Sequence, residues 1–427
     1  MDGGKFEPVI GLEVHVQLST KSKIFCGCST EFGLSPNSST CPVCLGLPGT
    51  LPVLNKDVFH AALKVALALN CNIQSFVKFD RKNYYYPDLP KNFQISQYDK
   101  PIAFDGSVEL MDTPGRKIKV RRVHLEEDAG KLLHDQDKVS SVVDYNRTGT
   151  PLLEIVTEPD IFSPDEAYEY LTTLKDILLY LGISDCNMEE GSLRCDANIS
   201  VRPRGEKTLG VKSELKNMNS FKAVRAALAY EITRHIELLD SGNKVLQETR
   251  LWDPDREVSA SMRTKEETHD YRYFPEPDLV PFHIAETDVD NARSSMPELP
   301  KAKRARFVEQ YGLSIKEAGA LVADREIAEY FEKAALIAKS PKAVYNWVTQ
   351  DIMAGLNSEN LTISGYGFTP EMLAELISLI DEGVIGGKMA KQILVESREE
   401  NLSPKKRVEQ KGLKQITDGD EITRVCD

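Results

Sequence analysis

Four cysteines in the run CGCSTEFGLSPNSSTCPVC, at positions 26, 28, 41 and 44, constrain this chain more than any other feature. Their pattern is CxC–x12–CxxC, two close pairs flanking a loop of Ser, Pro, Asn and Gly. Each pair offers two thiolates from one tight turn, and zinc takes four ligands in a tetrahedron. The loop holds few apolar residues, so a metal can substitute for a core there. Four thiolates leave no open position for water, so a zinc on Cys26, Cys28, Cys41 and Cys44 is expected to be structural. A redox pair or free thiols remain the alternatives that spacing leaves open.

The other four cysteines, at 71, 186, 195 and 426, are scattered through 427 residues. That is no secreted disulfide scaffold, and a reducing cytoplasm fits. The opening MDGGKFEPVIG lacks the basic start and apolar run of a signal peptide. The apolar run AALKVALALN is too short to span a bilayer, so no membrane partner is expected. The formal charge of −13 argues against nonspecific coating of nucleic acid by the whole surface. KAKRAR, residues 301–306, is the densest basic run. It reads as a solvated helix face or, alternatively, as a local landing for phosphates.

The chain is long enough for more than one core. Residues 1–295 mix strand alternation, Pro and Gly turns and a few helices. Asn55 is placed to cap a helix from Lys56 to Leu69. Ser163-Pro164 opens another that ends at Gly182, and a third begins at Ser220. Residues 296–406 carry almost only helix signals, among them Ser340-Pro341 and Thr369-Pro370 starts. Residues 407–427 read as the start of a tail domain that stops before it is complete. The expected class is α+β: an antiparallel-sheet domain, then a small all-helical domain, then the tail.

No GxxxxGK[ST] loop, GxGxxG turn or GxSxG elbow is present. The chemistry is expected elsewhere. In PVIGLEVHVQLST, Leu12, Val14, Val16 and Leu18 share one strand face, and Glu13, His15 and Gln17 share the other. KIKVRRVHLEEDAG alternates as well and ends in Glu126 and Glu127; only one of the two can share a given face, and parity alone leaves the choice open. MEEGSLRCDANISVR adds Glu190, Asp196 and Asn198, and VKSELKNMNSF adds Lys212 and Glu214. Four strands of one sheet could bring these groups to one basin. Carboxylates with one imidazole suit magnesium, and the interspersed Lys and Arg suit phosphates. Arg147 in DYNRTGTP could grip a carboxylate or phosphate in a fork. Tyr84 and its aromatic neighbours in RKNYYYPDLPKNFQISQYD suit stacking on a base. Ordinary solvated sheet faces and packing between turns would use the same residue types.

Seven segments in order, IGLEVHVQL, YYYPDLPKNFQISQYD, VHLEEDAGK, DYNRTGTPLLEIVTEPD, GSLRCDANISVR, SELKNMNSF and DYRYFPEPDL, resemble the B-subunit family of bacterial aspartyl/glutamyl-tRNA amidotransferases. The cysteine cluster is similar to that of the family's zinc-bearing members. The resemblance implies a glutamine-synthetase-like cradle that binds ATP and Mg2+ and phosphorylates the side-chain carboxylate of Glu-tRNA(Gln) or Asp-tRNA(Asn). Ammonia from a separate amidase A-subunit then displaces the phosphate. A small C-subunit straps the complex together, and the helical and tail domains hold the tRNA. On this pattern the candidate catalytic residues are Glu13, His15, Glu126, Glu127, Glu214 and Arg147. Glu13, His15, Glu127 and Glu214 are the magnesium candidates. Tyr84, Lys91, Asn146, Glu190, Asp196, Asn198 and Lys212 are the nucleotide candidates. A zinc-bearing RNA-binding scaffold without chemistry of its own is the rival reading.

Overall fold

The computed structural model describes residues 4–134, 141–264 and 271–412. The chain forms two units, Met1–Pro297 and Glu298–Asp427. The first is built on a nine-stranded sheet. In chain order its strands are β1 (Phe6–Gln17), β2 (Asn72–Ile73), β3 (Ala103–Glu109), β4 (Lys117–Glu127), β5 (Pro151–Thr157), β6 (Leu193–Pro203), β7 (Ser213–Lys216), β8 (Glu248–Asp253) and β9 (Val258–Thr264). Across the sheet the order is β9-β8-β7-β6-β1-β5-β4-β3-β2. All neighbours are antiparallel except β7 and β8, which run parallel. The α+β class read from the sequence is the one observed.

β1 is a strand for the reason its alternation predicts. Leu12, Val14 and Val16 are fully buried, whereas Glu13, His15 and Gln17 lie on the opposite face and are only partly covered. Three helices cover the apolar face. α1 (Lys56–Ala68) starts where the Asn55 side chain accepts from the Asp57 N–H. α2 (Pro164–Leu181) starts with Ser163 accepting from Glu166 and Pro164 in the first turn, and ends at Gly182 with φ 65°. α3 (Phe221–Asp240) is capped by Ser220. Leu63, Leu174, Leu178 and Leu228 of these helices are fully buried against the sheet. A smaller sheet of Asp80–Asn83, Phe93–Ser96 and Arg272–Pro275 lies against β4.

α3 is tied to the sheet by a buried polar network. Glu231 has no exposed surface and meets Arg234 Nε at 3.0 Å, Arg250 Nε at 3.0 Å and the Ser259 hydroxyl. His235 Nε2 lies 2.9 Å from Ser213 Oγ on β7 and 3.4 Å from Glu231. The network thereby joins α3 to β7, β8 and β9.

The second unit is helical: Pro300–Tyr311, Ile315–Val322, Arg325–Ala338, a run from Pro341 to Glu359 with a π-helical middle at Trp347–Ile352, Pro370–Asp381, Gly387–Glu399 and Pro404–Lys411. Its core holds Phe307, Phe331, Leu373 and Ile393. Most of the tail read from the sequence lies outside the described residues; 407–412 complete the last helix and its Gly cap, with Val408 buried. The basic run at 301–306 is drawn inward. Lys303 is buried 3.7 Å from Glu332, Arg306 grips Glu298 at 2.9 and 2.7 Å and also Glu332, and Arg304 donates to the Ile315 carbonyl. Lys303 and Arg306 of this run are thus committed to ion pairs within the helical unit.

Burial alone would raise the Glu231 pKa, but hydrogen bonds from His235, Arg234 and Ser259 pull it down to about 2. Its contribution to stability is therefore complete above the ordinary carboxylate range and is lost as pH falls toward 2. Glu231→Ala removes the carboxylate shared by Arg234, Arg250, His235 and Ser259, leaving the arginines paired with Glu248, and should cost about 1–3 kcal/mol at neutral pH. Urea unfolding of both proteins at pH 7 and pH 3 checks this: the gap should narrow in acid.

Candidate functional site

The polar face of the sheet owes its composition to register. His15 on β1 stands opposite Arg194 of β6 and Glu154 of β5, and Glu154 stands opposite His124 of β4. Directly paired residues point to the same face, so one row holds Arg194, His15, Glu154 and His124. One step along, Glu13 is opposite Asp196, and on β7 Glu214 is opposite Asn198. Two stations result.

The first station is a metal-sized cluster. His15 Nε2 lies 3.4 Å from Glu154 and 3.7 Å from Glu126, and ligand atoms of His15, Glu126 and Glu154 all fall within 4.8 Å of one another. His124 Nε2 backs the same carboxylates, at 3.1 Å from Glu154 and 3.6 Å from Glu126. Burial disfavours a charged imidazole, yet Glu154 and Glu126 outweigh it, so the His15 pKa is raised and that of His124 reaches about 9. Burial likewise opposes the Glu154 carboxylate, but the two histidines hold its pKa well below the ordinary value. Two carboxylates and one imidazole make a hard, incomplete donor set, which fits a divalent cation with positions left for water or phosphate oxygen.

The second station is mixed. Asn198 Nδ2 donates to Glu13 at 3.1 Å, and Lys212 Nζ donates to Asn198 Oδ1 at 2.9 Å. Lys216 pairs with Asp196 and, at 3.0 Å, with Glu214, whose other oxygen accepts from Thr249 at 2.8 Å. Burial, with the charges of Glu154, Asp196 and Glu214, raises the Glu13 pKa. Tyr84 is near enough for Lys82 and Glu126 to act on its phenol, and Lys82 itself feels Glu126 and Glu154. Glu13, His15, Glu126, Asp196, Asn198, Lys212 and Glu214 are thus gathered on one face, with Tyr84 at the edge.

Other candidates stand elsewhere. Glu127 has the opposite parity from Glu126: it is paired with Lys91, and its carboxylate accepts from the Ile95 N–H at 2.8 Å. It therefore does not join His15, and Lys91 goes with it. The Lys91 stem runs beneath the cysteine loop at Gly46, where an added Cβ would lie 2.2 Å from Lys91 Cγ. Arg147 donates to the Ala129 and Gly130 carbonyls at 3.0 and 2.7 Å and faces Asp128. Asn146 ties down the loop of the cysteines, accepting from Ser39 N–H at 2.8 Å and donating to the Ser35 carbonyl at 2.7 Å. Glu190 is exposed in a turn and lines a separate hollow with Arg147. These turn residues find backbone partners that no periodicity announces.

Sequence reasoning passed over Glu154, the residue that completes the first station. Its signal was a lone carboxylate inside the apolar run PLLEIVT. His124, Arg122, Lys82 and Arg194 are the other neighbours it left unassigned; Arg194 is held at 3.0 Å by Asp128, which also accepts from Gln17 at 2.8 Å.

The four loop cysteines converge, their sulfur atoms within 4.8 Å of one another. A tetrahedron with Zn–S of about 2.3 Å places sulfurs about 3.8 Å apart, so the set fits zinc. Cys44 Sγ accepts from the Cys41 N–H at 3.1 Å, and a hydrogen bond from Cys26 draws its pKa down to about 4, toward the thiolate that binds metal.

Mn2+ titration followed by electron paramagnetic resonance separates the two glutamates. Glu126→Gln should weaken binding by about 10–100-fold or more, whereas Glu127→Gln should change it by less than about threefold.

Comparison with known proteins agrees with this architecture. A family model described as the GatB/GatE catalytic domain matches residues 8–290, and one described as the GatB domain matches 329–427. The B subunit of the aspartyl/glutamyl-tRNA(Asn/Gln) amidotransferase of Carboxydothermus hydrogenoformans is 55% identical, over 99% of this chain and 89% of that protein. Proteins of the same description from Synechocystis and Geotalea uraniireducens are each 54% identical, over 98% and 99% of this chain and 87% and 89% of theirs. The chain belongs to the GatB/GatE family of amidotransferase B subunits.

Proposed function

We propose that this chain is the carboxylate-activating subunit of a glutamine-dependent tRNA amidotransferase. Its reaction is ATP-dependent phosphorylation of the side-chain carboxylate of Glu-tRNA(Gln) or Asp-tRNA(Asn), then replacement of the phosphate by ammonia. The ammonia comes from an amidase A-subunit, with a small C-subunit completing the assembly; no helix among the described residues is long and apolar enough to cross a membrane. The relatives' names supply the substrate class. The observation that carries the chemistry is the gathering of His15, Glu126 and Glu154 beside the cations Lys212 and Lys216 on one sheet face.

A carboxylate resists attack by ammonia because oxide would have to leave. Transfer of the γ-phosphoryl group breaks its bond to the nucleotide and forms an acyl phosphate. Ammonia then forms the C–N bond, loses a proton, and inorganic phosphate departs. Magnesium, held by His15, Glu126 and Glu154, would neutralise phosphoryl oxygens during transfer. Lys212 and Lys216, on the same face, would offer positive charge to further phosphate oxygens. Arg194, fixed by Asp128, can orient the acceptor carboxylate. Glu126 and Glu154 are nearly buried, and a site shielded in this way would protect an activated acyl group from bulk water. Zinc on the four cysteines would hold the loop that supports Lys91.

A scaffold without chemistry would have no use for buried carboxylates converging on a partly exposed histidine, since they repel phosphates unless a metal intervenes. The test combines this chain with its amidase and small partner proteins, ATP, magnesium, glutamine and radiolabelled Glu-tRNA(Gln) or Asp-tRNA(Asn). Amide should form only with ATP and this chain. Glu154→Gln should slow it by about 100–1,000-fold while the partner's glutaminase persists. Amidation without this chain, or equal amidation of free glutamate, overturns the proposal.

A further inference from the structure

Lys23 is fully buried, and no carboxylate is paired with it among the described residues. Its ammonium donates to the Ser39 carbonyl at 2.8 Å and lies 3.7 Å from Cys44 Sγ. A buried ammonium without a counter-charge is strongly disfavoured. Without zinc, only Cys44 beside it is drawn toward a thiolate, a single charge at most. Four thiolates around one Zn2+ supply more, because the sum of their charges is that of a dianion. Cys44 is the thiolate most in need of compensation: it is 3% exposed, while Cys26, Cys28 and Cys41 are only partly covered.

Backbone geometry delivers the cation to that sulfur. The Lys23 N–H donates to the Cys28 carbonyl at 3.0 Å, so Lys23 sits on the same turn as the first cysteine pair. Its carbonyl accepts from the Asn55 side chain at 3.3 Å, and Gly149 passes its stem, an added Cβ there lying 3.6 Å from Lys23 Cδ. The stem is thus directed across the loop from the first pair to Cys44 of the second.

We propose that Lys23 is the counter-cation of a four-thiolate zinc site, a positioning residue that favours the metal by offsetting its buried negative charge. This rests on the zinc reading given above. Its consequence differs between the two forms of the protein. With zinc bound, Lys23 neutralises thiolate charge and strengthens the site. Without zinc, Cys44 alone faces it, a buried pair that gives the fold little or nothing.

The experiment uses the full chain with Lys23→Met, which keeps length and volume but removes the charge, and Lys23→Gln as a second variant. Zinc content is measured first: a parent chain with no zinc defeats the zinc reading itself. Zinc affinity is then measured by competition with a chromophoric chelator, and thermal midpoints are recorded for loaded and chelator-stripped protein. Both variants should keep one zinc per chain but bind it about 10–100-fold more weakly. The stripped Lys23→Met chain should melt no lower than the stripped parent. Affinity within twofold of the parent for a folded variant overturns the proposal. So does a loss of affinity accompanied by a lower midpoint of the stripped chain in both variants, since Lys23 would then simply support the fold.

Discussion

The pairing of β1 with two antiparallel neighbours is the constraint on which the rest of the site depends. A strand alone offers Glu13 and His15 about 6–7 Å apart, too far to share a small cation. Cross-strand pairs are closer, about 4.5–5.5 Å between Cβ atoms. Placing Glu154 beside His15, and Glu126 one step beyond on β4, turns separate polar residues into one donor set. A slip of one residue in either ladder would send Glu154 to the helix-covered face and Leu153 or Ile155 into the basin.

That register also determines the balance of charge. The first station puts two carboxylates against two imidazoles, and the second puts Glu13, Asp196 and Glu214 against Lys212 and Lys216. Neither carboxylate of the first station is left without a nitrogen partner, which is why both keep depressed pKa values despite burial. Glu13 lacks such a close cation and its pKa is raised. The cysteine loop and the Lys91–Glu127 pair lie toward the other side of β4, so support and basin occupy opposite parities of the same strand.

Much of the fold was legible because local signals agreed with burial. The alternation of β1, the Asn55, Ser163 and Ser220 caps and the four cysteines each act over a few residues and appear where the sequence puts them. What could not be read depended on partners distant in the chain. Glu154 looks like a stray charge in an apolar strand until β1 and β4 are laid beside it. Glu126 and Glu127 are chemically identical and differ only in parity, which the pairing with Leu152 and Pro151 decides. Arg147 and Asn146 have the side chains of ligand-binding residues, and their bonds to the carbonyls of Ala129, Gly130 and Ser35 are made to parts of the chain that no local pattern reveals. Lys303 and Arg306 formed a basic run on paper and an internal ion-pair cluster once Glu298 and Glu332 were folded against them.

Locating a divalent ion tests the three-residue donor set without recourse to activity. Crystals of the protein soaked with Mn2+ and a non-hydrolysable ATP analogue, measured at the manganese edge, give the ion's position. An anomalous peak is expected about 2.0–2.3 Å from His15 Nε2 and from one oxygen each of Glu126 and Glu154. A manganese peak bound only at Glu127, or no peak among these three side chains at saturating Mn2+, would contradict the assignment.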